Sequence, residues 1–169
     1  MIVRRLKDIL NTARDVRAET FASRRLLLRH DGMGFSMHET IVYAGSQTHI
    51  WYKHHLEAVY CVEGSGEVEL VPSGEVFRIE PGTIYALDKN DRHWLRADPG
   101  ADMRVVCTFT PALVGDEVHD ADGVYAAVPE TEEETSDVIP GSVREPHAAQ
   151  SDNAGAARPR GVPAGGSSA

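Results

Sequence analysis

The chain has 169 residues, of which 41% are hydrophobic and 25% charged, a composition typical of one soluble domain with its own core. Its formal net charge of −9 at pH 7 argues against a nucleic-acid partner, which requires clustered basic residues. The opening sequence, MIVRRLKDIL, is unlike a signal peptide and no long apolar run follows it, so we expect a cytoplasmic protein without a membrane partner.

The chain up to residue 53 predicts one short helix followed by three β-strands. The helix is expected near Leu6–Asn11, and the strands at 24–29, 34–44 and 48–53. Because side chains alternate between the two faces of a strand, one face of the second strand carries four residues. These are Ser36, His38, Thr40 and Val42. The opposite face carries Phe35, Met37, Ile41 and Tyr43, together with Glu39.

The next stretch, HHLEAVYCVEGSGEVEL, places a carboxylate within a buried strand pattern. In an expected strand at 57–63, Glu57 shares one face with Val59 and Cys61. Gly64 to Gly66 then predict a turn, after which a strand is expected at 67–71. A buried carboxylate is costly unless it is paired, neutralised or bound to a metal, so Glu57 is a candidate functional residue.

Four further strands are expected at 75–79, 83–88, 93–97 and 103–110. Tyr85 and His93 lie on apolar faces of two of these strands. One face of the last strand carries Met103, Val105, Cys107 and Phe109. Both cysteines of the chain, at 61 and 107, fall within strand patterns, which favours free buried thiols over a disulfide. Many short strands without interleaved helices predict an all-β closed barrel or sandwich.

The composition changes abruptly after Tyr125. Beyond this residue there is no aromatic residue and no leucine, while Glu, Ala, Gly, Pro and Ser dominate. Residues 130–169 contain seven acidic and three basic side chains. Such a segment buries too little apolar surface to offset its chain entropy, so we predict one folded domain at 1–129 and a disordered tail at 130–169.

Two parts of the sequence resemble the conserved motifs of the cupin barrels. The first is Glu57 with the following strand and Gly64-Ser65-Gly66, and the second is Gly74 to Pro81-Gly82 with His93. Cupins usually carry an HxH pair of metal ligands before the glutamate, and here Ile50 and Tyr52 occupy those positions. The resemblance implies a single cupin-type β-barrel with short helices.

Longer stretches resemble one cupin family, the ectoine synthases, from MIVR at the start to Tyr125. They are RLLL, GMGFS, YAG, HHLEAVY, PGTIYALDKNDRH and GDEVHDADGVY. The chain departs from the residues expected in this family at Phe21, Trp51, His54 and Asn90. Phe21 stands where a tryptophan is expected near the substrate, so an aromatic wall is retained there.

This resemblance implies an iron-dependent cyclising dehydratase. Such an enzyme condenses N4-acetyl-L-2,4-diaminobutyrate intramolecularly to ectoine, a compatible solute of the osmotic stress response, with loss of water. The implied metal ligands are Glu57, Tyr85 and His93, whose hard oxygen and nitrogen donors favour Fe(2+), although another divalent metal would also suit them. The family resemblance also implies a homodimer.

The same resemblance also implies which residues take part in catalysis and in substrate binding. Glu117, Tyr52 and Thr40 are the candidates for proton transfer and for handling the leaving oxygen. Arg25 is the natural partner of the substrate carboxylate. The full set of candidate substrate-binding residues is Phe21, Ser23, Arg25, His38, His55, Cys107, Phe109 and His119. Without the resemblance, most of these would be ordinary strand or surface residues.

Two alternatives belong to other functional classes. The first is a non-catalytic cupin that binds a small ligand, which the missing HxH pair makes worth considering. No basic segment accompanies the expected barrel, which argues against a DNA-binding regulator. The second is another cupin enzyme, an oxygenase or an isomerase, and oxygen uptake during turnover would distinguish the oxygenase.

Overall fold

The computed structural model describes residues 1–127, which form ten β-strands and two short 3-10 helices. The helices are Leu6–Asp8 and Arg29–Asp31. The strands are β1 (Asp15–Arg17), β2 (Phe21–Leu27), β3 (Ser36–Val42), β4 (Gln47–Ile50), β5 (Leu56–Glu63), β6 (Gly66–Leu70), β7 (Glu75–Ile79), β8 (Ile84–Leu87), β9 (His93–Ala97) and β10 (Met103–Thr110). Neither described helix is long and apolar enough to cross a membrane. The predicted tail at 130–169 lies outside the described residues.

The strands form two antiparallel sheets that face each other across one core, which confirms the predicted all-β class. One sheet has the strand order β1-β2-β3-β10-β5-β8, and the other has the order β4-β9-β6-β7. The buried core residues come from both sheets, among them Val59 and Val105 of the first sheet and Val68 and Leu95 of the second.

The predicted alternation of buried and exposed residues is confirmed in the strands that later form the site. In β3, Ser36, His38 and Val42 are buried. In β5, Glu57, Val59 and Cys61 point inward, while the intervening residues are half-buried or exposed. In β10, Met103, Val105, Cys107 and Phe109 are all buried.

The turn predicted at Gly64 to Gly66 joins strands of different sheets, because β5 belongs to the first sheet and β6 to the second. At this corner the two backbones come very close together. A Cβ atom on Gly66 would lie 2.0 Å from the carbonyl oxygen of Arg96, so only glycine fits opposite β9. The pairing of β6 with β9 also fixes the start of β9 at His93.

Some boundaries differ from the predicted ones for identifiable reasons. The sequence did not predict β1, because two of its three residues, Asp15 and Arg17, are charged and give no alternating pattern. This strand exists through its pairing with β2, which begins at Phe21 rather than at residue 24. The strand predicted at 48–53 ends at Ile50, because the amide of Trp51 donates to the carbonyl of Gly123 instead of continuing the ladder.

Candidate active site

One cavity lies between the inward faces of the two sheets. It is partly open to solvent and is lined by residues from β2, β3, β5 and β10 of one sheet and from β4 and β9 of the other. The loop after β10 completes the wall. The lining residues are Phe21, Ser23, His38, Thr40, Val42, Thr48, Ile50, Tyr52, Glu57, Leu95, Cys107, Phe109, His119 and Tyr125.

Glu57 is the carboxylate of this cavity, and it is buried without a cation. Its residue is 6% exposed, and among the described residues it forms no ion pair. Burial raises the pKa of Glu57 to about 8, and hydrogen bonding from the Cys107 thiol offsets only part of this effect. A cation bound at this carboxylate would therefore find a strongly basic oxygen ligand.

Tyr85 lies beside Glu57 on the first sheet, and His93 faces Tyr85 from the second. In the β5–β8 pair, Glu57 lies opposite Leu87 and Val59 lies opposite Tyr85, so Tyr85 is a diagonal neighbour of Glu57 on the same face. His93 begins β9 in the other sheet, and its ring centroid is 6.4 Å from that of Tyr85. Burial raises the pKa of Tyr85 well above 10, and the Glu57 charge adds to the rise.

His93 has a free nitrogen at this meeting point. Its Nδ1–H donates to the carbonyl oxygen of Asp91 at 3.0 Å, which leaves Nε2 as the nitrogen with the lone pair. Nε2 is buried and has no hydrogen-bond partner among the described residues. Burial lowers the pKa of His93, which keeps the imidazole neutral, as a metal ligand must be.

These three side chains offer the donor chemistry that the predicted metal site requires. Among the described residues, no group of three His, Cys, Asp or Glu side chains is arranged to hold a metal, so a site here needs the tyrosine as its third ligand. A carboxylate, a phenol and an imidazole with an unused nitrogen form a hard donor set of the kind that iron accepts. Glu57 lines the cavity, whereas Tyr85 and His93 do not.

Tyr52 and His119 form a hydrogen-bonded pair beside the cavity. The Tyr52 hydroxyl lies 3.0 Å from Nε2 of His119. Burial raises the pKa of Tyr52 well above 10, and a side-chain hydrogen bond with Tyr125 adds to the rise, so the phenol keeps its proton. Burial, together with the nearby Arg25 charge, lowers the pKa of His119 to about 4 and keeps the ring neutral.

Arg25 and Glu117 form a buried ion pair next to the cavity. Arg25 is 1% exposed, and its NH1 lies 3.6 Å from Oε2 of Glu117. The Glu117 carboxylate also accepts backbone hydrogen bonds from Val114 at 2.6 Å and from Gly115 at 2.9 Å. Glu117, predicted as a proton-transfer group, thus anchors the loop after β10 and does not line the cavity. The Arg25 Nε, by contrast, is buried without a hydrogen-bond partner.

A second polar group, His38, lines the cavity next to Arg25. Its Nδ1 lies 3.2 Å from the Ser23 hydroxyl, and its Nε2 is buried without a partner. Burial lowers the pKa of His38 to about 3, and the charge of Arg25 adds to this shift. On the β10 side of the cavity, Sγ of Cys107 lies 3.9 Å from Oγ1 of Thr40.

Most residues predicted for the site meet in this cavity. Nine of them line it, namely Phe21, Ser23, His38, Thr40, Tyr52, Glu57, Cys107, Phe109 and His119. Arg25, Tyr85, His93 and Glu117 do not line it, and Tyr85 lines a neighbouring cavity with Leu87 instead. His55 is buried too, with its Nδ1 2.9 Å from the carbonyl oxygen of Pro111, but it does not line the cavity.

Sequence reasoning missed Tyr125, which lines the cavity and is 3% exposed. It also missed the lining residues Val42, Thr48, Ile50 and Leu95, of which all but Thr48 are apolar. The available signal for Tyr125 was its position as the last aromatic residue before the composition changes. The apolar lining residues carry no sequence signal that distinguishes them from other core positions.

Comparison with known proteins reveals close similarity to one family. The family described as ectoine synthase matches residues 1–129. An L-ectoine synthase of Desulfatibacillum aliphaticivorans is 62% identical over 127 residues, which cover 74% of this chain and 96% of that protein. An L-ectoine synthase of Halalkalibacterium halodurans is 55% identical over 128 residues, which cover 76% and 98%.

Two solved structures are similar as well. The crystal structure of ectoine synthase from P. lautus matches with a TM-score of 0.68 at 48% sequence identity, and the match covers 81% of this chain and 98% of that one. A cupin 2 conserved barrel domain protein from Salinispora arenicola matches with a TM-score of 0.54 at 16% identity, covering 65% of this chain and 88% of that one. The second match concerns the fold alone and confirms the predicted cupin barrel.

In metal-stripped protein, Glu57→Gln should change how stability depends on pH. The pKa of Glu57 is raised from 4.5 to about 8 in the folded state, so the folded protein binds this proton more tightly than the unfolded chain. The free energy of unfolding of the parent should therefore fall as the pH rises from about 5 to about 8. Glutamine cannot ionise, so the variant should gain about 1–3 kcal/mol relative to the parent over this range.

Urea unfolding at about pH 5 and at about pH 8 measures the difference in the free energy of unfolding between the variant and the parent. Glu75→Gln, which changes an exposed glutamate of β7, is the matched control and should follow the parent. If Glu57→Gln and the parent lose stability equally between the two pH values, the Glu57 carboxylate is not buried unpaired in the metal-free protein.

Proposed function

The chain belongs to the ectoine synthase family and is a cyclising dehydratase, and we propose that its reaction takes place in the cavity between the two sheets, with a divalent iron held by Glu57, Tyr85 and His93. The observation that carries this proposal is the buried Glu57 carboxylate, which forms no ion pair with a described side chain and is a diagonal neighbour of Tyr85. The ring of Tyr85 in turn faces that of His93, whose Nε2 has no hydrogen-bond partner among the described residues. The oxygenase, isomerase and non-catalytic alternatives are set aside, because the relatives of 52–62% identity are all L-ectoine synthases.

The substrate of this reaction is N4-acetyl-L-2,4-diaminobutyrate. Its 2-amino nitrogen attacks the acetamide carbonyl carbon, a C–N bond forms, and the carbonyl oxygen leaves as water once it has received two protons. The product, ectoine, retains a C=N bond in the new ring. The substrate chain must be folded so that the amine meets the carbonyl, and such positioning can supply about 7–11 kcal/mol. The aromatic side chains that line the cavity suit the carbon chain of such a folded molecule.

The charged groups around the cavity support one orientation of the substrate. Arg25 and His38 offer the unpartnered nitrogens Nε and Nε2, and we assign them to the substrate carboxylate with Ser23 beside them. Glu57 lies on β5, with the acetamide end of the substrate toward it in this orientation. Phe21 and Phe109 provide flat apolar surfaces for the carbon chain, and Cys107 contributes its thiol to the same wall.

The metal would be held by the Glu57 carboxylate, the Tyr85 phenolate and the free imidazole nitrogen of His93. When bound there, iron supplies polarisation of the acetamide carbonyl. Its positive charge would favour the ionised forms of Glu57 and Tyr85, whose pKa values burial raises. Another divalent metal with the same preference for hard ligands would fit the donor set as well.

Proton transfer falls to groups that already form hydrogen bonds. The Tyr52 hydroxyl can give its proton to the leaving oxygen while His119, at 3.0 Å, accepts and returns protons through Nε2. Thr40 lines the same wall and can orient the leaving oxygen. Glu117 does not line the cavity and is ion-paired with Arg25, so it could take the ammonium proton only through a relay by a group that lines the cavity or by water. His55, anchored to Pro111, supports the start of β5 from behind.

We further propose a homodimer and a cytoplasmic location. The outer surface of β5 and β8 is apolar and solvent-exposed, with Leu56 at 45%, Tyr60 at 47% and Ile84 at 66% exposure, which is typical of an interface that a second copy covers.

Cys61 and Cys107 are both free and buried, as is usual in a reducing compartment. The product, a compatible solute, then serves the osmotic stress response.

Replacing any one of the proposed ligands should remove the metal and the activity together. Glu57→Ala, Tyr85→Phe and His93→Ala should each lower bound iron after reconstitution, because three ligands leave little redundancy. The measurement pairs metal content with mass spectrometry of the acetylated diamine after incubation with metal-stripped and iron-loaded protein. Tyr60→Phe, which alters an exposed phenol on the same strand pair, is the control. Normal iron and activity in Tyr85→Phe would remove Tyr85 from the site.

Glu117→Gln distinguishes proton transfer from anchoring. If Glu117 transfers a proton, kcat should fall about 10²–10⁴-fold while the fold and the bound iron persist. If it only anchors the loop, the amide, which has one oxygen for the two backbone donors of Val114 and Gly115, should lower the melting temperature or raise KM.

Two variants control this experiment. Asp116→Asn removes one negative charge from an exposed neighbour and should behave like the parent. His119→Ala removes the partner of Tyr52 and should lower kcat with Glu117 intact. Parental turnover in Glu117→Gln would leave Tyr52 or water as the route of the proton.

Charging the apolar outer face should break the proposed dimer. Tyr60→Glu combined with Ile84→Glu places two carboxylates where a second copy would be packed, so the mass in solution should fall by half. Light scattering measures the mass, and Val76→Glu, on an exposed position of β7 in the other sheet, is the control. A parent protein that is already monomeric at micromolar concentration would contradict the dimer.

A further inference from the structure

Tyr125 makes the closest ring contact around the cavity. Its ring lies parallel to the imidazole of His119, with the centroids 4.4 Å apart and the planes 11° from each other. The other rings that touch His119 meet it differently: Phe21 does so edge-on at 5.5 Å, and Tyr52 is tilted at 5.6 Å. Tyr125 is thus the ring that covers the flat face of His119.

The backbone around Tyr125 is held firmly in place. His119 and Tyr125 flank a tight turn in which the Asp120 carboxylate accepts hydrogen bonds from the amides of Asp122 and Val124, both at 2.9 Å. Gly123 ties this turn to the end of β4, where its carbonyl accepts the amide hydrogen of Trp51 at 2.9 Å. A Cβ atom on Gly123 would lie 2.3 Å from the carbonyl oxygen of His49, so the contact requires glycine.

This arrangement fixes the orientation of the His119 imidazole. A histidine ring can rotate about its terminal bond, and the direction of its nitrogens depends on what packs against its faces. With Tyr125 on one face and the edge of Phe21 nearby, Nε2 points at the Tyr52 hydroxyl 3.0 Å away. Tyr125 also contacts Tyr52, with ring centroids 4.8 Å apart, so it touches both members of the hydrogen-bonded pair.

We propose that Tyr125 is a positioning residue for catalysis, whose stacked ring holds His119 in the orientation that keeps Nε2 on the Tyr52 hydroxyl. This inference rests on the proposed function, in which the two residues exchange a proton near the leaving oxygen. It assigns the role to the aromatic ring of Tyr125 and not to its hydroxyl. A purely structural role, such as filling the core, would need only apolar volume at this position.

The test compares substitutions that keep or remove the ring. Tyr125→Phe keeps the stack, whereas Tyr125→Leu and Tyr125→Met keep apolar volume without it, and the second of these guards against a packing failure in the first. Val124→Ala, at the buried neighbour in the same turn, is the control for the turn itself. The measurements are kcat, KM and melting temperature of the iron-loaded protein, and the NMR signals of the His119 ring, assigned by their loss in His119→Gln.

We expect Tyr125→Phe and Val124→Ala to retain kcat within about two-fold and to leave the His119 ring signals in place. Tyr125→Leu and Tyr125→Met should lower kcat about ten-fold or more with little change in KM, because misorientation affects the transition state and not substrate binding. Their His119 ring protons should lose the shielding that a stacked aromatic ring produces.

Three results would overturn the inference. Parental kcat in a folded Tyr125→Leu or Tyr125→Met variant would show that volume is sufficient. An equal loss of kcat in Tyr125→Phe would assign the effect to the hydroxyl. Unchanged His119 signals in the leucine and methionine variants would show that Tyr125 does not orient that ring. Failure of the proposed function can be told apart from failure of this inference. In the first case the parent protein forms no ectoine, while the NMR comparison still shows whether Tyr125 stacks on His119.

Discussion

The burial of one carboxylate without a compensating charge is the constraint on which the site depends. Glu57 lies on the inner face of β5, between two sheets whose other inward residues are mostly apolar. The free energy that this burial costs is large unless a cation or a proton neutralises the group. The surrounding groups suit neutralisation by a cation, because Tyr85 and His93 bring a phenol and an unpartnered imidazole nitrogen to the same region.

The charges around the cavity are separated in a way that suits a substrate with two unlike ends. Burial lowers the pKa values of His38 and His119, and the Arg25 charge adds to both shifts. Burial also raises the pKa values of Tyr85 and Cys107, and the Glu57 charge adds to both shifts. The site therefore has a cationic side and a carboxylate side. Neutral hydrogen-bonding groups lie between them, and their shifted pKa values keep histidines unprotonated and tyrosines protonated near neutral pH. Such a field orients the substrate before any bond changes.

The sequence predicts the parts of this structure that depend on alternation and on chemically distinctive residues. The inward faces of β3, β5 and β10 follow from the two-residue repeat, and Glu57 is conspicuous because a charge interrupts an apolar face. The strand β1 could not be predicted, since its three residues owe their conformation to pairing with β2. Anchoring of Glu117 by backbone amides and stacking of Tyr125 on His119 are tertiary contacts, so spacing along the chain gives no sign of either.

The proposed ligands come from both sheets, with Glu57 and Tyr85 on one and His93 on the other. A metal held by all three would act as a cross-link between the two halves of the barrel, much as a disulfide joins distant parts of a chain. Because the unfolded chain does not hold these ligands together, the apparent stability would rise with the logarithm of the free metal concentration. Cells that are short of iron would then contain a protein that is both less active and more easily degraded, so the supply of the metal would set the abundance of the enzyme as well as its turnover.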